Sequence, residues 1–152
     1  MMRVVFDTSI LVAGALVEHA HQARARVWLD AAVTGQVEAA TTSHALAELW
    51  ATLTALPVNP RIGPVLAAQV TERYAQKLHV INLGWEHCRR AIRRCGERGL
   101  RSGAVYDALH LVGAEKWSAD WLLTFNTRHF ERLVATGHTQ VLAPPDPPQV
   151  PL

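Results

Sequence analysis

The feature that most constrains the fold is a short apolar segment followed at once by an acid, Arg3-Val4-Val5-Phe6-Asp7-Thr8-Ser9. Three consecutive large apolar residues, two of them β-branched, predict a strand that is buried on both faces. The two hydroxyl residues after the acid can cap a helix. Because ligands of open α/β sheets bind at the carboxyl ends of the strands, this pattern places Asp7 where chemistry is expected.

Strand and helix signals alternate along the rest of the chain. The further predicted strands are 37–41, 79–83 and 121–125, with 140–142 as a candidate edge strand. Helical segments separate them, and this alternation is typical of a parallel sheet covered on both faces. We therefore predict an α/β fold with a central, mostly parallel sheet of four to five strands flanked by helices on both faces.

Length and composition indicate one domain. The chain has 152 residues, of which 49% are hydrophobic, and this is enough to form a core. We expect the domain to span residues 1–142. Residues 143–152 are rich in proline, which predicts an extended arm or a loose end.

Charge and cysteine content indicate the compartment. The net charge of +2, with a pI near 8.8, permits an anionic partner without requiring one. Cys88 and Cys95 lie seven positions apart in a predicted helix, which argues against a disulfide and fits a reducing compartment. The sequence shows no signal-peptide pattern and no apolar run of membrane-spanning length. We therefore expect a cytoplasmic protein that does not associate with membranes.

Three acids stand alone among apolar neighbours. Asp7 follows the first strand, Glu48 lies in the helical segment 44–55, and Asp107 lies in the helical segment 103–117. Both helices begin close to where the chain leaves or returns to the edge of the sheet that carries Asp7. The three carboxylates are therefore expected to converge at one end of the sheet.

Carboxylates that share a buried site repel one another, and a divalent cation removes that conflict. A set of carboxylate oxygens suits Mg²⁺ or Mn²⁺ better than zinc, which prefers His and Cys. Such an ion lowers the pKa of a bound water and polarises a phosphodiester. The pattern predicts metal-dependent phosphodiester hydrolysis, with Asp7, Asp107 and, directly or through water, Glu48 as catalytic and metal-binding residues.

Each acid taken alone has a simpler interpretation. A lone Glu in the middle of a helix is more often solvated than catalytic. Asp107 could be favourable because it lies near the positive end of a helix dipole, and Asp7 could be a helix cap. The three together favour a site. Ser9 and Thr124 could hydrogen-bond the acids, although capping and strand-end roles remain open for both.

The histidines are not predicted to be ligands. His110 shares a helical face with Asp107 and could approach the site, but a packed or solvent-bridging role is favoured. His19 and His21 would lie on different faces of a helix, which argues against a zinc pair. His129 is expected to be an exposed helix residue.

Four segments occur in a fixed order along the chain: Phe6-Asp7-Thr8-Ser9, Glu48 in the second helical region, Tyr106-Asp107-Ala108-Leu109-His110, and Leu123-Thr124-Phe125-Asn126. In this order they resemble a PIN domain and, more narrowly, a VapC-type toxin of a bacterial toxin–antitoxin pair. The match runs from Val4 to about Phe130. The resemblance implies a Mg²⁺-dependent endoribonuclease with Asp7, Glu48 and Asp107 as its acidic site. It also implies a cognate antitoxin and a homodimer.

The sequence departs from the family pattern at one position. Many members place a fourth acid after the fourth strand, where this chain has Asn126. An amide can orient a water or offer an oxygen, but it adds no charge. Asn126 therefore remains a candidate metal ligand, and one well-held ion is expected. Asp120 does not replace the missing acid, because it precedes the strand and should lie at the opposite end.

The most uneven charge lies in one predicted helix and the turn after it. Its six arginines are Arg89, Arg90, Arg93, Arg94, Arg98 and Arg101. One interpretation is a solvated helix surface. The other is a rim that contacts RNA phosphates, or a surface that meets an acidic antitoxin segment. The sequence does not decide between them.

Two hypotheses for the function remain. The first is a metal-dependent ribonuclease that cleaves RNA and is neutralised by an antitoxin. The second is a non-catalytic module that kept the fold and works by binding nucleic acid or a protein partner. A phosphatase of the haloacid dehalogenase kind also begins with a strand and an Asp, but it needs a second Asp where Ser9 stands.

Overall fold

The computed structural model describes residues 1–135 and 137–145. Within these residues the chain forms five strands and seven helices. In chain order they are β1 (Arg3–Phe6), α1 (Thr8–Ala15), α2 (Gln22–Val33), β2 (Glu38–Thr42), α3 (Ser43–Ala55), α4 (Pro64–Lys77), β3 (His79–Ile81), α5 (Trp85–Glu97), α6 (Ala104–Lys116), β4 (Trp121–Leu123), α7 (Thr127–Phe130) and β5 (Gln140–Leu142).

The strands form one sheet in the order β3-β2-β1-β4-β5, and every neighbouring pair is parallel. Val5 of β1 lies opposite Ala40 on one side and Leu122 on the other. The predicted α/β class and the candidate edge strand are confirmed. Since β1 is the central strand, Asp7 lies at the middle of the carboxyl edge.

Helices cover both faces of the sheet. Val4 and Phe6 face a core formed with α1, α2, α3 and α4, whereas Val5 faces a second core formed with α5 and α6. All three side chains are fully buried. The alternation of side chains along a strand therefore explains why three consecutive apolar residues are needed in β1.

Two strands end earlier than predicted, and side chains explain why. β4 ends at Leu123, two residues before the predicted limit. The amide of Thr124 still donates to the carbonyl of Leu142, but the next two amides donate to side chains: Phe125 N to Ser9 Oγ at 3.0 Å and Asn126 N to Thr124 Oγ1 at 3.0 Å. β3 likewise ends at Ile81, and the amide of Leu83 donates to a serine hydroxyl of α3. At the carboxyl edge, side-chain hydroxyls thus accept the amide hydrogen bonds that carbonyls of a neighbouring strand would otherwise accept.

The first residues of the proline-rich segment pack on α2. Arg24 donates to the carbonyl of Pro144, and Trp28 Nε1 donates to the carbonyl of Pro145 at 3.1 Å. Residues 143–145 are therefore held against the domain. The rest of the predicted arm or loose end, residues 146–152, lies outside the described residues.

Two further expectations concern cysteines and membranes. Cys88 and Cys95 are both free, as their spacing predicts. Among the residues that the structure describes, no helix is both long enough and apolar enough to cross a membrane.

The close approach of α1 and α2 requires a glycine, and this gives a test of the fold. A Cβ at Gly14 would collide with Leu29 Cδ1 and lie 2.9 Å from Tyr74 Oη. We expect Gly14→Ala to lower the free energy of unfolding by about 1–3 kcal/mol in urea denaturation.

The matched control is Gly96→Ala in α5, where a Cβ would meet no atom within 4 Å. This substitution is expected to leave stability unchanged or raise it by up to about 1 kcal/mol, because alanine is the better helix former. Equal effects of the two substitutions would contradict the packing described here.

Candidate active site

The three acids predicted from the sequence line one cleft at the carboxyl edge of the sheet. Asp7 follows β1, Glu48 lies in the middle of α3, and Asp107 lies in the first turn of α6. The cleft has a volume of about 540 Å³. Its lining residues are Asp7, Thr8, Ser9, Val12, His19, His21, Glu48, Thr52, Asp107, Phe125, Asn126 and His129.

Asp7 is buried and held by two hydroxyl groups. Its Oδ2 atom accepts hydrogen bonds from Thr124 Oγ1 at 2.6 Å and from Ser9 Oγ at 3.1 Å. Thr124 is itself fully buried, and its hydroxyl is fixed because it also accepts from the amide of Asn126. These bonds fix the orientation of the carboxylate, which is the supporting role anticipated for Ser9 and Thr124.

Glu48 has a different partner at each oxygen. Oε2 accepts from Thr8 Oγ1 at 3.0 Å, whereas Oε1 lies 2.6 Å from His44 Nε2 and 3.3 Å from His110 Nε2. Partial burial raises the pKa of Glu48, but the hydrogen bond and charge of His110, the Thr8 hydroxyl and the charge of His44 outweigh it, so the pKa is lowered. Glu48 is therefore not the solvated helix residue of the simpler interpretation.

His110 belongs to the site as well as to the core. The residue is 1% exposed, its Nδ1 lies 2.8 Å from Thr42 Oγ1, and its Nε2 lies 3.8 Å from Asp7 Oδ1. Burial lowers the pKa of His110, but the hydrogen bond to Glu48 and the charges of Asp7, Glu48 and Asp107 outweigh it, so the pKa is raised. The burial agrees with the packed role that the sequence favours, and the contacts with Glu48 and Asp7 agree with the alternative that His110 approaches the site.

Of the three acids in the cleft, Asp107 has the fewest partners. Across the described ranges, its carboxylate makes no hydrogen bond and no ion pair with another side chain. Burial raises its pKa, and the charges of Asp7 and Glu48 add to this, whereas His129 and His110 oppose it; the net pKa is raised. Three carboxylates that lie close together repel one another, and their oxygen atoms are ligands that fit Mg²⁺ or Mn²⁺.

Two lining residues, His19 and His21, were missed because a turn brings them to the cleft. His19 and His21 precede α2, and the amide of His21 donates to His19 Nδ1 at 3.0 Å. The ring of His21 stacks on Phe125, with the ring centroids 4.4 Å apart. No periodicity in the sequence signals this turn. His129 is exposed in α7, as expected, and also lines the cleft.

The remaining polar candidates lie at different places. Asn126 is exposed at the cleft, so its role as a ligand stays a prediction. Asp120 lies at the opposite edge, as predicted, where it accepts from the amide of Arg3 at 2.8 Å. It also lies 2.6 Å from His138 Nε2.

None of the six arginines of α5 and the following turn is among the described residues that line the cleft. Arg94 forms a bidentate ion pair with Glu115 at 2.7 Å, and Arg98 donates to two backbone carbonyls. Both therefore tie α5 to its neighbours. Arg89 and Arg93 pair with acids of their own helix, and Arg90 and Arg101 are exposed.

Comparison with known proteins identifies the family. The family model of the PIN domain matches residues 4–135. The chain belongs to the PIN-domain family. This PIN domain is 37% identical over 115 residues to Ribonuclease VapC27 of Mycobacterium tuberculosis (strain ATCC 25618 / H37Rv), a match that covers 75% of the chain and 78% of the relative. The VapC-type resemblance is thereby confirmed.

Solved structures share the fold at low identity. VapBC2 from Rickettsia felis, bound to a DNA fragment from its promoter, has a TM-score of 0.65 and 19% identity, and the match covers 92% of this chain and 98% of that chain. VapC20 of Mycobacterium tuberculosis, a sarcin–ricin loop cleaving toxin, has a TM-score of 0.65 and 20% identity. That match covers 83% of this chain and 92% of the VapC20 chain. These likenesses confirm the architecture.

The contact between His110 and the acids predicts a pH dependence. Because the folded-state pKa of His110 is raised above 6.5, its contribution to stability is fully present below pH 6.5 and is lost as the pH rises through the folded-state value. In metal-free buffer, the difference in free energy of unfolding between this PIN domain and His110→Gln should therefore shrink from pH 6 to pH 9. Urea unfolding at a series of pH values measures it. A difference that grows with pH would refute the assignment.

Proposed function

We propose that this PIN domain is a Mg²⁺-dependent endoribonuclease toxin of the VapC type. The observation that carries the proposal is the meeting of Asp7, Glu48 and Asp107 in one cleft, where Asp107 forms no ion pair with any described side chain. The relative that is 37% identical is named a ribonuclease, which supports RNA as the substrate.

The residues of the cleft fit a divalent cation. Asp7 and Asp107 would hold Mg²⁺ or Mn²⁺, with Glu48 binding directly or through water and Asn126 as an accessory oxygen. Bound there, the ion would polarise an RNA phosphodiester and lower the pKa of a water. Ser9 and Thr124 orient Asp7 for this role (their hydroxyls donate to its Oδ2).

The chain's own residues also orient the second acid. Thr8 donates to Glu48 Oε2 and so fixes one carboxylate oxygen, while His44 and His110 hold the other. Asn126 in place of an acid leaves three carboxylates for the cation. We therefore expect one ion per active site.

A protein partner is also part of the proposal. An exposed apolar residue lies close to the cleft: Val17 is 85% exposed and lines a groove that shares His19 with the cleft. This groove is lined largely by apolar side chains, among them Leu16, Val58 and Ile62. We infer that a cognate antitoxin covers part of this surface, that the toxin is a homodimer, and that it acts in the cytoplasm, where its RNA substrate lies.

RNA contact by the arginines of α5 and the turn after it is a further element of the proposal. Arg90 and Arg101 are the members that are exposed and have no ion pair with a described side chain. Since each phosphate contact releases counterions, RNA binding should weaken as salt rises. RNA affinity that barely changes between low and moderate salt would remove the arginines from the proposal.

The deciding experiment is cleavage of structured RNA by the purified chain with Mg²⁺, with Mn²⁺ and with EDTA. The proposal expects cleavage with either ion, loss of cleavage in EDTA, and recovery when Mg²⁺ is returned. The alternative of a non-catalytic binding module expects RNA or partner binding with no cleavage under any condition, and that outcome would overturn the proposal.

A further inference from the structure

A cluster of two imidazoles and one carboxylate lies beside the three acids, and its chemistry differs from theirs. His44, Glu48 and His110 each offer one ligand atom, and these atoms all lie within 4.8 Å of one another. We propose that these three residues bind a divalent transition-metal ion of the Zn²⁺ class. This ligand set differs from that of the carboxylate site for Mg²⁺, and Glu48 is the one residue that belongs to both.

The distances in the cluster suit such an ion. A tetrahedral Zn²⁺ with bonds of about 2.0–2.1 Å separates its ligand atoms by roughly 3.3 Å. His110 Nε2 lies 3.3 Å from Glu48 Oε1, and His44 Nε2 lies 2.6 Å from the same oxygen. The shorter distance is that of a hydrogen bond between His44 and Glu48. Binding of the ion would release the proton of this bond to solvent, and the two ligand atoms would move apart. A small movement of the side chains, without a change of rotamer, therefore completes the site.

Both imidazoles are oriented before an ion binds. A ligating histidine usually has its second ring nitrogen held by another group. His110 Nδ1 lies 2.8 Å from Thr42 Oγ1, and that hydroxyl is fixed as the cap of α3 because it accepts from the amide of Ala45. When the hydroxyl accepts the Nδ1 proton, Nε2 presents its lone pair to the cluster.

The second imidazole is held by stacking. The ring of His44 lies nearly parallel to that of Tyr106, with an angle of 11° and the ring centroids 5.1 Å apart. His44 also lies one helical turn before Glu48 on α3, so both ligands project from the same face. The ligand set thus comes from two rigid helices.

The donor types determine which metal is selected. Imidazole nitrogen favours Zn²⁺, Co²⁺ and Ni²⁺, whereas Mg²⁺ prefers oxygen. The side chains of His44 and Glu48 are 28% and 36% exposed, so solvent can supply the fourth ligand, while His110 closes the buried side. Three protein ligands with one open position is the arrangement of zinc sites that exchange a ligand.

The experiment is a titration of the purified full chain with Zn²⁺ against a chelating dye, and with Co²⁺ followed by its visible absorption. The unsubstituted chain should bind one Zn²⁺ and give the intense spectrum of tetrahedral Co²⁺. His44→Phe keeps a ring against Tyr106 but removes a ligand nitrogen. Since loss of a supporting group alone costs roughly 10–100-fold in affinity, loss of this ligand should weaken Zn²⁺ binding by at least roughly 100-fold.

Two controls complete the test. His129→Ala removes an exposed histidine that lines the same cleft, and it should keep the Zn²⁺ affinity of the unsubstituted chain. Asp107→Asn should keep Zn²⁺ binding while losing Mg²⁺-dependent RNA cleavage, so this proposal and the ribonuclease proposal can fail separately. Failure of the unsubstituted chain to bind Zn²⁺, or equal affinity of His44→Phe, would overturn the proposed site.

Discussion

Replacing Asp107 by Asn is expected to lower the rate of Mg²⁺-dependent RNA cleavage by at least roughly 1,000-fold, since a metal site supplies several kcal/mol to the transition state and each 1.36 kcal/mol is tenfold in rate. The side chain keeps its size, and no hydrogen bond to another described residue is lost. Asp7→Asn should have an effect of similar size, because that carboxylate lies at the centre of the same edge.

The fold should survive the loss of charge at Asp107. Burial and the neighbouring charges of Asp7 and Glu48 raise its pKa, so the charged form is disfavoured in the folded state. Removing that charge in metal-free buffer should raise stability by about 0.5 kcal/mol, because solvent screens a half-exposed group. Circular dichroism and urea unfolding check that a loss of cleavage is not a loss of structure.

Asp120→Asn is the matched control for both acid substitutions. Asp120 precedes β4 at the opposite edge of the sheet and bonds to Arg3 and His138. Its replacement removes the same charge from the same chain, but it should leave the cleavage rate within about twofold of the unsubstituted chain, since sites at opposite edges act independently. Full activity of Asp7→Asn or Asp107→Asn would refute the active-site assignment.

Thr124→Val is expected to reduce RNA cleavage by roughly 10–100-fold, which is typical of losing a group that orients a metal ligand. The Thr124 hydroxyl donates to Asp7 Oδ2 at 2.6 Å and accepts from the amide of Asn126 at 3.0 Å. Valine has the same shape but neither bond. The loss also removes a donor from the buried carboxylate of Asp7 and an acceptor from the amide of Asn126, so we expect a stability cost of about 1–3 kcal/mol.

Thr139→Val separates the two effects. Thr139 is buried, as Thr124 is, but it lies at the opposite edge of the sheet. Its hydroxyl donates to the backbone carbonyl of Ala119 at 2.6 Å. Both substitutions should cost similar stability in urea unfolding, whereas only Thr124→Val should slow cleavage and weaken Mg²⁺ binding. If the two variants cleave RNA equally well, Thr124 does not position Asp7.

The acids could be found from the sequence because each is a lone charge in an apolar segment. Burying Asp7 directly after a strand, or Asp107 in the first turn of an apolar helix, costs free energy. An acid at such a position therefore indicates a functional role. The alternation of strands and helices then placed these positions at one edge. The family motifs around the same residues agreed with this physical argument.

The histidine contacts could be found only in part. The spacing of His44 and Glu48 by four residues predicts a contact on one helix face, but the third member, His110, comes from another helix. Its approach depends on the crossing of α3 and α6, which no local pattern encodes. The sequence also does not predict the turn that brings His21 onto Phe125, because this turn depends on backbone geometry and has no periodic pattern.

The arginines of α5 show the limit of reasoning from helix faces. Six basic residues with one acid between them indicate a charged surface, yet Arg94 is mostly buried and pairs with Glu115 of α6. Arg98 reaches backbone carbonyls in the segment after α7. Partners distant in sequence decided both roles, and helix periodicity contains no information about them.

The measurement that tests the central claim most directly is thermal unfolding of the purified chain across a Mg²⁺ titration, with Asp107→Asn and Asp120→Asn alongside. If the three carboxylates share one cation, Mg²⁺ at 100 times its dissociation constant should stabilise the unsubstituted chain and Asp120→Asn by about 2.7 kcal/mol, and Asp107→Asn far less. Equal stabilisation of all three proteins, or none of any, would contradict the account.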